Sequence, residues 1–152
     1  MAALTPGENA KVDKKGRLAI PAAVLKAVSW WSDYKGGRVT GELTRKGLMR
    51  VFPDSAVRSA LAAGNGDPSS DADYVANAVM ADRYRDLALY KEGRLYLTKE
   101  VCPWLGFGLG ETAELFAQPF PYGIEVMSME HRFERLRDAQ DDVLPWTFDP
   151  PK

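Results

Sequence analysis

The sequence is short of the residues that build metal centres and covalent catalysts. Cys102 is its only cysteine and His131 its only histidine. One cysteine excludes an intrachain disulfide and makes a reducing compartment the expected setting. No second His or Cys stands near either residue, so no zinc-type ligand set can be drawn, and Cys102 has no candidate base to activate it. His131 sits in EHRFER among charges, where a surface position is expected. Apolar runs long enough to cross a bilayer are also missing. The opening MAALTPGENA lacks the basic and apolar regions of a signal peptide, so none is expected.

A strong charge of one sign is absent too. The net charge is −1 and the sequence pI is near 5.9, short of the basic footprint usual in nucleic-acid-binding domains. The distribution is uneven, however. Residues 1–50 hold ten Lys/Arg against four Asp/Glu, whereas residues 51–152 hold ten against seventeen. Screening limits the reach of distant charge to about 10 Å, so a local basic face can hold phosphate on an acidic molecule.

The densest basic stretch is KVDKKGRLAIP, residues 11–21. It contains Lys11, Lys14, Lys15 and Arg17 within seven positions. Two polar residues followed by Gly16 suit a short hairpin loop, with Gly16 in the left-handed conformation that a side chain would penalise. Asp13 and Arg17 then face each other across the hairpin neck, and their attraction helps fix the register. Pro21 suits the first turn of a helix. The pattern returns 77 positions later as LYKEGRLYL, residues 89–97. Gly93 matches Gly16, Arg94 matches Arg17, and Leu95 and Leu97 match Leu18 and Ile20. Tyr90 replaces Asp13, and Thr98 replaces Pro21. A repeat at this spacing implies two copies of one supersecondary unit.

These motifs resemble the MraZ family, the two-repeat branch of the AbrB/SpoVT swapped-hairpin DNA-binding superfamily. The carriers are Asp13-x-x-Gly16-Arg17-Leu18-x-Ile20-Pro21, the degenerate second Gly93-Arg94 hairpin, ELTRKGLMRVFP at 42–53 and YGIEVMSMEHRFERL at 122–136. The resemblance covers residues 11–137. It implies an α+β, mainly β fold: two pseudo-symmetric swapped-hairpin repeats forming a small β-barrel with short helices. The expected divisions are a first repeat over 9–63, a linker and connecting helix over 64–86, a second repeat over 87–138 and an extended acidic tail over 139–152.

The chain is accordingly expected to form strands near 10–14 and 17–20, a helix over 21–28 and an aromatic loop over 29–37. A second hairpin, 38–45 with 48–52, follows around Lys46-Gly47. Asp54 can cap a helix to residue 63, and GNGDPSS at 64–70 breaks the chain. A further helix starts at Asp71 or Asp73 and runs to about Asp86. Strands near 87–91 and 94–97 come next, then a helix capped by Thr98 running to about Leu105. A last hairpin, 111–118 with 122–127, precedes a helix over 129–139.

The function implied by the resemblance is that of a sequence-specific transcriptional regulator. It would act on promoter repeats of a cell-division and cell-wall gene cluster, as a ring-like homo-oligomer in the cytoplasm at the nucleoid. Its partners would be double-stranded DNA and further copies of itself, with no membrane. Lys11, Lys14, Lys15, Arg17, Lys91, Arg94 and Lys99 would contact DNA, and Asp13, Gly16, Pro21 and Gly93 would shape the hairpins. The residues alone leave a second reading open for the first hairpin, a solvated tip with Arg17 paired to Asp13. For the whole chain the alternative is an oligomeric scaffold on the same fold that has lost DNA binding, motivated by the acidic pI, the missing second Asp and Trp30-Trp31. Those two tryptophans suit either the core edge or a subunit interface. Neither an enzyme nor a cofactor is expected. GFGLG at 106–110 does not join a strand to a helix in a βαβ unit, and Glu111, Glu114 and Glu125 are expected to face solvent on strands.

Overall fold

Alternating apolar residues on short strands must be buried against another layer or by closing the strands on one another. The structure, a computed structural model, describes residues 7–53, 83–120 and 123–142. The strands are β1 (Glu8–Val12), β2 (Arg17–Ala19), β3 (Gly37–Arg45), β4 (Leu48–Pro53), β5 (Tyr84–Leu89), β6 (Arg94–Tyr96), β7 (Ala113–Phe120) and β8 (Gly123–Ser128). They form a closed antiparallel barrel in the order β1-β2-β6-β5-β3-β4-β8-β7, with β7 returning to β1. Closure leaves no free sheet edge among these strands. The fold is mainly β, and the described residues include three α-helices: α1 (Ala22–Ala27), α2 (Val101–Trp104) and α3 (Met129–Asp142).

The two Gly-Arg hairpins lie side by side in this barrel. Asp13 N–H donates to the Arg17 carbonyl and Gly16 N–H to the Asp13 carbonyl, both at 3.0 Å. Tyr90, Arg94 and Gly93 repeat the same pair of bonds at 2.9 Å. Gly16 and Gly93 have φ of 81° and 90°, the left-handed conformation that these turns require. Arg17, Leu18 and Ala19 pair with Tyr96, Leu95 and Arg94. Beyond that ladder the hairpins bond reciprocally: Leu97 N–H reaches the Gly16 carbonyl at 2.7 Å, and Ile20 N–H reaches the Gly93 carbonyl at 3.0 Å.

The remaining pairings follow the same exchange. β1 runs along β7, and β5 runs along β3. Each half of the chain thus supplies a strand to the other half's long hairpin. Val12, Leu18, Val39, Met49, Val51, Leu87, Leu89, Leu95, Leu115, Ile124 and Val126 are buried together in one core. Helices α1 and α2 follow the two hairpins and bury Val24, Leu25, Val101 and Cys102 in it.

Several sequence-based expectations need correction. The helix expected to run to Asp86 gives way to β5 from Tyr84, because residues 84–89 pair with β3 and bury Leu87 and Leu89. The rest of that helix, the one expected over 54–63, the 64–70 breaker and the 143–152 tail lie outside the described residues. Thr98 does not cap α2 through its side chain. The helix begins at Val101, and Thr98 offers its backbone carbonyl to the Val101 and Cys102 N–H groups. Helix α3 begins as expected but extends to Asp142. Ser128 Oγ accepts from the His131 N–H at 3.0 Å, which caps its first turn. Among the described residues no helix is long and apolar enough to cross a membrane.

Trp30 and Trp31 are partly buried and pack against the core. They make edge contacts with each other, and Trp31 stacks on Tyr34, whose hydroxyl donates to the Leu89 carbonyl at 2.6 Å. Phe107 packs against the same core. These rings therefore cover the barrel, and a subunit interface is not needed to account for their burial.

The β4–β8 seam depends on Gly123. A Cβ there would overlap the Val51 carbonyl oxygen, which belongs to the backbone and cannot rotate away. Gly123→Ala is expected to destabilise the fold by about 1–3 kcal/mol through forced displacement of that strand. Urea melts followed by circular dichroism measure the loss, and a variant as stable as the parent contradicts this packing.

Candidate functional site

The first hairpin carries an arginine held in a fixed direction. Asp13 Oδ1 accepts from the backbone N–H groups of Lys15 at 2.9 Å and Arg17 at 3.0 Å. Its Oδ2 accepts from Arg17 Nε at 2.8 Å. The Arg17 backbone N–H holds the Asp13 carboxyl below its usual range, and the Arg17 side chain and Lys15 N–H add to this. The carboxylate therefore stays charged and keeps orienting the guanidinium. Only Nε is engaged, and the two terminal nitrogens of Arg17 have no partner among the described residues. They remain available as donors suited to a bidentate acceptor.

The β2–β6 ladder brings the second hairpin's arginine onto the same outer face. Leu18 and Leu95 point inward and are fully buried, so Arg17, Ala19, Arg94 and Tyr96 point outward. A groove of about 630 Å³ is lined by Lys14, Lys15, Arg17 and Arg94 together with Tyr90, Glu92, Tyr96, Leu109 and Gly110. A second groove of about 610 Å³ adjoins it, shares Arg17 and Arg94, and adds Lys11, Asp13 and Glu114. Five cations thus face three carboxylates on one surface of a chain whose net charge is −1.

Of the cations expected from the sequence, the fold brings together Lys11, Lys14, Lys15, Arg17 and Arg94. Lys91 and Lys99 are exposed but line neither groove; Lys91 lies beside Gly36. Pro21 precedes α1 in an extended conformation, and its carbonyl receives the Val24 and Leu25 N–H groups. Tyr96 and Leu109 were not singled out from the sequence. Tyr96 had a signal, since it alternates with Arg94 in Arg-Leu-Tyr and must share its face. Leu109 had none, because the approach of its Cδ1 to the Gly16 turn comes from packing remote in sequence.

Two side chains expected at the surface are buried. Glu125 is 5% exposed and accepts from Arg50 Nε at 3.1 Å, Arg135 at 3.0 Å and Gln118 at 2.7 Å. Burial pushes its carboxyl up, but the hydrogen bonds from Arg135, Gln118 and Arg50 prevail and hold it below the usual range. It sits on the outer side of β8, where α3 covers it, so strand alternation alone misplaced it. His131 is 8% exposed, and its Nε2 has no partner among the described residues. Burial lowers its pKa, and Arg135 and Arg45 lower it further against the opposing Glu134 and Glu125. Glu114 is exposed and accepts from Asn9 at 2.7 Å. Cys102 is buried in the core, and burial pushes its thiol up. These groups make no nucleophile–base pair and, among the described residues, no cluster that could hold a metal ion.

No protein-family model matches the chain, and no curated protein matches it.

The buried pair sets the acid response of the α3 contact. His131 has a folded pKa below its ordinary 6.5, so its stabilising effect is present above that value and fades as pH falls through the folded pKa. Glu125 behaves the same way from its ordinary 4.5 downward. Stability is expected to decline in two stages on acidification, first below pH 6.5 and then below pH 4.5. His131→Gln should remove the first stage and Glu125→Gln the second. Denaturant melts across pH measure both, and a His131→Gln profile that overlays the parent's contradicts the first assignment.

Proposed function

We propose that the chain is a DNA-binding transcriptional regulator of the MraZ type, built from two swapped-hairpin units that exchange their first hairpins. The observation that carries this reading is the groove lined at once by Lys14, Lys15, Arg17 and Arg94, with Arg17 oriented by Asp13. Lysines suit phosphate contact, which neutralises charge without reading sequence. An arginine with free terminal nitrogens suits a guanine edge in the major groove. The two hairpins differ in this respect: Asp13 fixes Arg17, whereas Tyr90 offers Arg94 no carboxylate. The first hairpin is therefore the reader and the second an auxiliary contact.

Several copies in a ring would engage repeated promoter sites together, near a cell-division and cell-wall gene cluster, and gain avidity from the shared duplex. The scaffold alternative keeps the modest charge surplus of the groove in its favour. It loses Trp30 and Trp31, which pack on the chain's own core.

Arg17→Ala is expected to weaken specific duplex binding by about 1–3 kcal/mol while the protein stays folded. Lys14→Ala should weaken specific and random duplexes alike and lower the salt slope by about one. Arg94→Ala should cost less than Arg17→Ala. Binding isotherms at two salt concentrations, with melting curves beside them, test all three; parent-like binding by folded Arg17→Ala defeats the reading. Light scattering should return a mass above the 16.8 kDa chain, and a monomer mass at every concentration defeats the ring.

A further inference from the structure

The cations of the groove suit a duplex, but the flat faces of the rings between them find no stacking partner there. Tyr96 lies opposite Arg17 in the β2–β6 ladder, and Ala19 lies opposite Arg94. Arg94 and Tyr96 share the outward face of β6. Tyr90 is joined to Arg94 by the bond from its N–H to the Arg94 carbonyl at 2.9 Å. Across this face the order is therefore Arg17, Tyr96, Arg94, Tyr90, with guanidinium and phenol alternating. Tyr90 is 45% exposed and Tyr96 40%. Both line the groove that holds Lys14 and Lys15, and the half-exposed Leu109 lines it too.

In a duplex the flat faces of the bases are covered by their neighbours, and a protein meets only edges and phosphates. An exposed ring gains a stacking partner only from a base that has left the helix. A cationic groove interleaved with aromatic rings is the arrangement that holds single strands, with charge along the backbone and rings beneath the bases. On the β2 side of Arg94 stands the small Ala19, which lines the adjoining groove.

We propose that this groove binds single-stranded DNA, with Tyr90 and Tyr96 stacking on unpaired bases and Lys14, Lys15, Arg17 and Arg94 along the phosphates. This activity goes beyond the duplex reading. It uses the same cations but requires accessible base faces. Sequence preference is weak, because every base has a face on which to stack.

The experiment compares an oligothymidine of about 12 nucleotides with an abasic strand of equal length and charge, each titrated into the full chain. The parent is expected to bind the base-bearing strand at least about tenfold more tightly. Tyr90→Ala and Tyr96→Ala should each reduce that preference by roughly tenfold, and Tyr96→Phe should retain it. Equal affinity of the parent for the two strands overturns the proposal. So do both alanine variants if they keep the preference while melting like the parent. Should a variant unfold, the parent's own ratio between the strands decides. Duplex titrations run beside these separate the two readings. Arg17-dependent duplex binding without a base-bearing preference removes this inference alone. A base-bearing preference without duplex binding removes the duplex reading alone.

Discussion

The reciprocal bonds between the two glycine turns hold the molecule in its arrangement. Gly16 and Gly93 each turn a carbonyl toward the end of the other hairpin, where Leu97 and Ile20 donate. A short ladder of three residue pairs would be a weak seam without them. With them, Leu18 and Leu95 are locked face to face in the core. The same register sets Arg17 and Arg94 on one outer face. Core packing and surface chemistry thus depend on a single alignment, since a one-residue slip would turn the leucines out and the arginines in.

Much of this was legible because it is local. The Gly16 and Gly93 turns, the four hairpins and the inward alternation of Leu18, Leu95 and Leu97 follow from backbone preference and period-two burial. The Asp13–Arg17 pair was legible for the same reason, as both residues flank one tight turn. What was missed depends on long-range contact. Tyr84 to Asp86 read as the end of a helix, and only pairing with β3 makes them a strand. Glu125 and His131 read as surface groups, and only the return of α3 over β8 buries them. Leu109 reaches the Gly16 turn from a loop that nothing in its own neighbourhood directs.

Net charge is a poor guide to this molecule because the carboxylates differ in position. Glu125 is occupied by Arg50 and Arg135 on the β4 and β8 side of the barrel. Asp13 stands beside the cations but is engaged by Arg17 and two backbone donors. Glu92 and Glu114 alone dilute the grooves without a cationic partner among the described residues. The surface potential near the hairpins therefore follows five neighbouring cations rather than the sum over the chain.

The pairing of β1 with β7 also orders events in time. Glu8 meets Ala117, and Val12 meets Ala113. During synthesis the first strand leaves the ribosome long before the residues that complete its ladder exist. Ala10, Val12 and Leu18 must wait with their apolar faces uncovered until most of the chain has been made. Such non-local wiring slows folding and lengthens the interval in which a nascent chain can pair with the wrong neighbour.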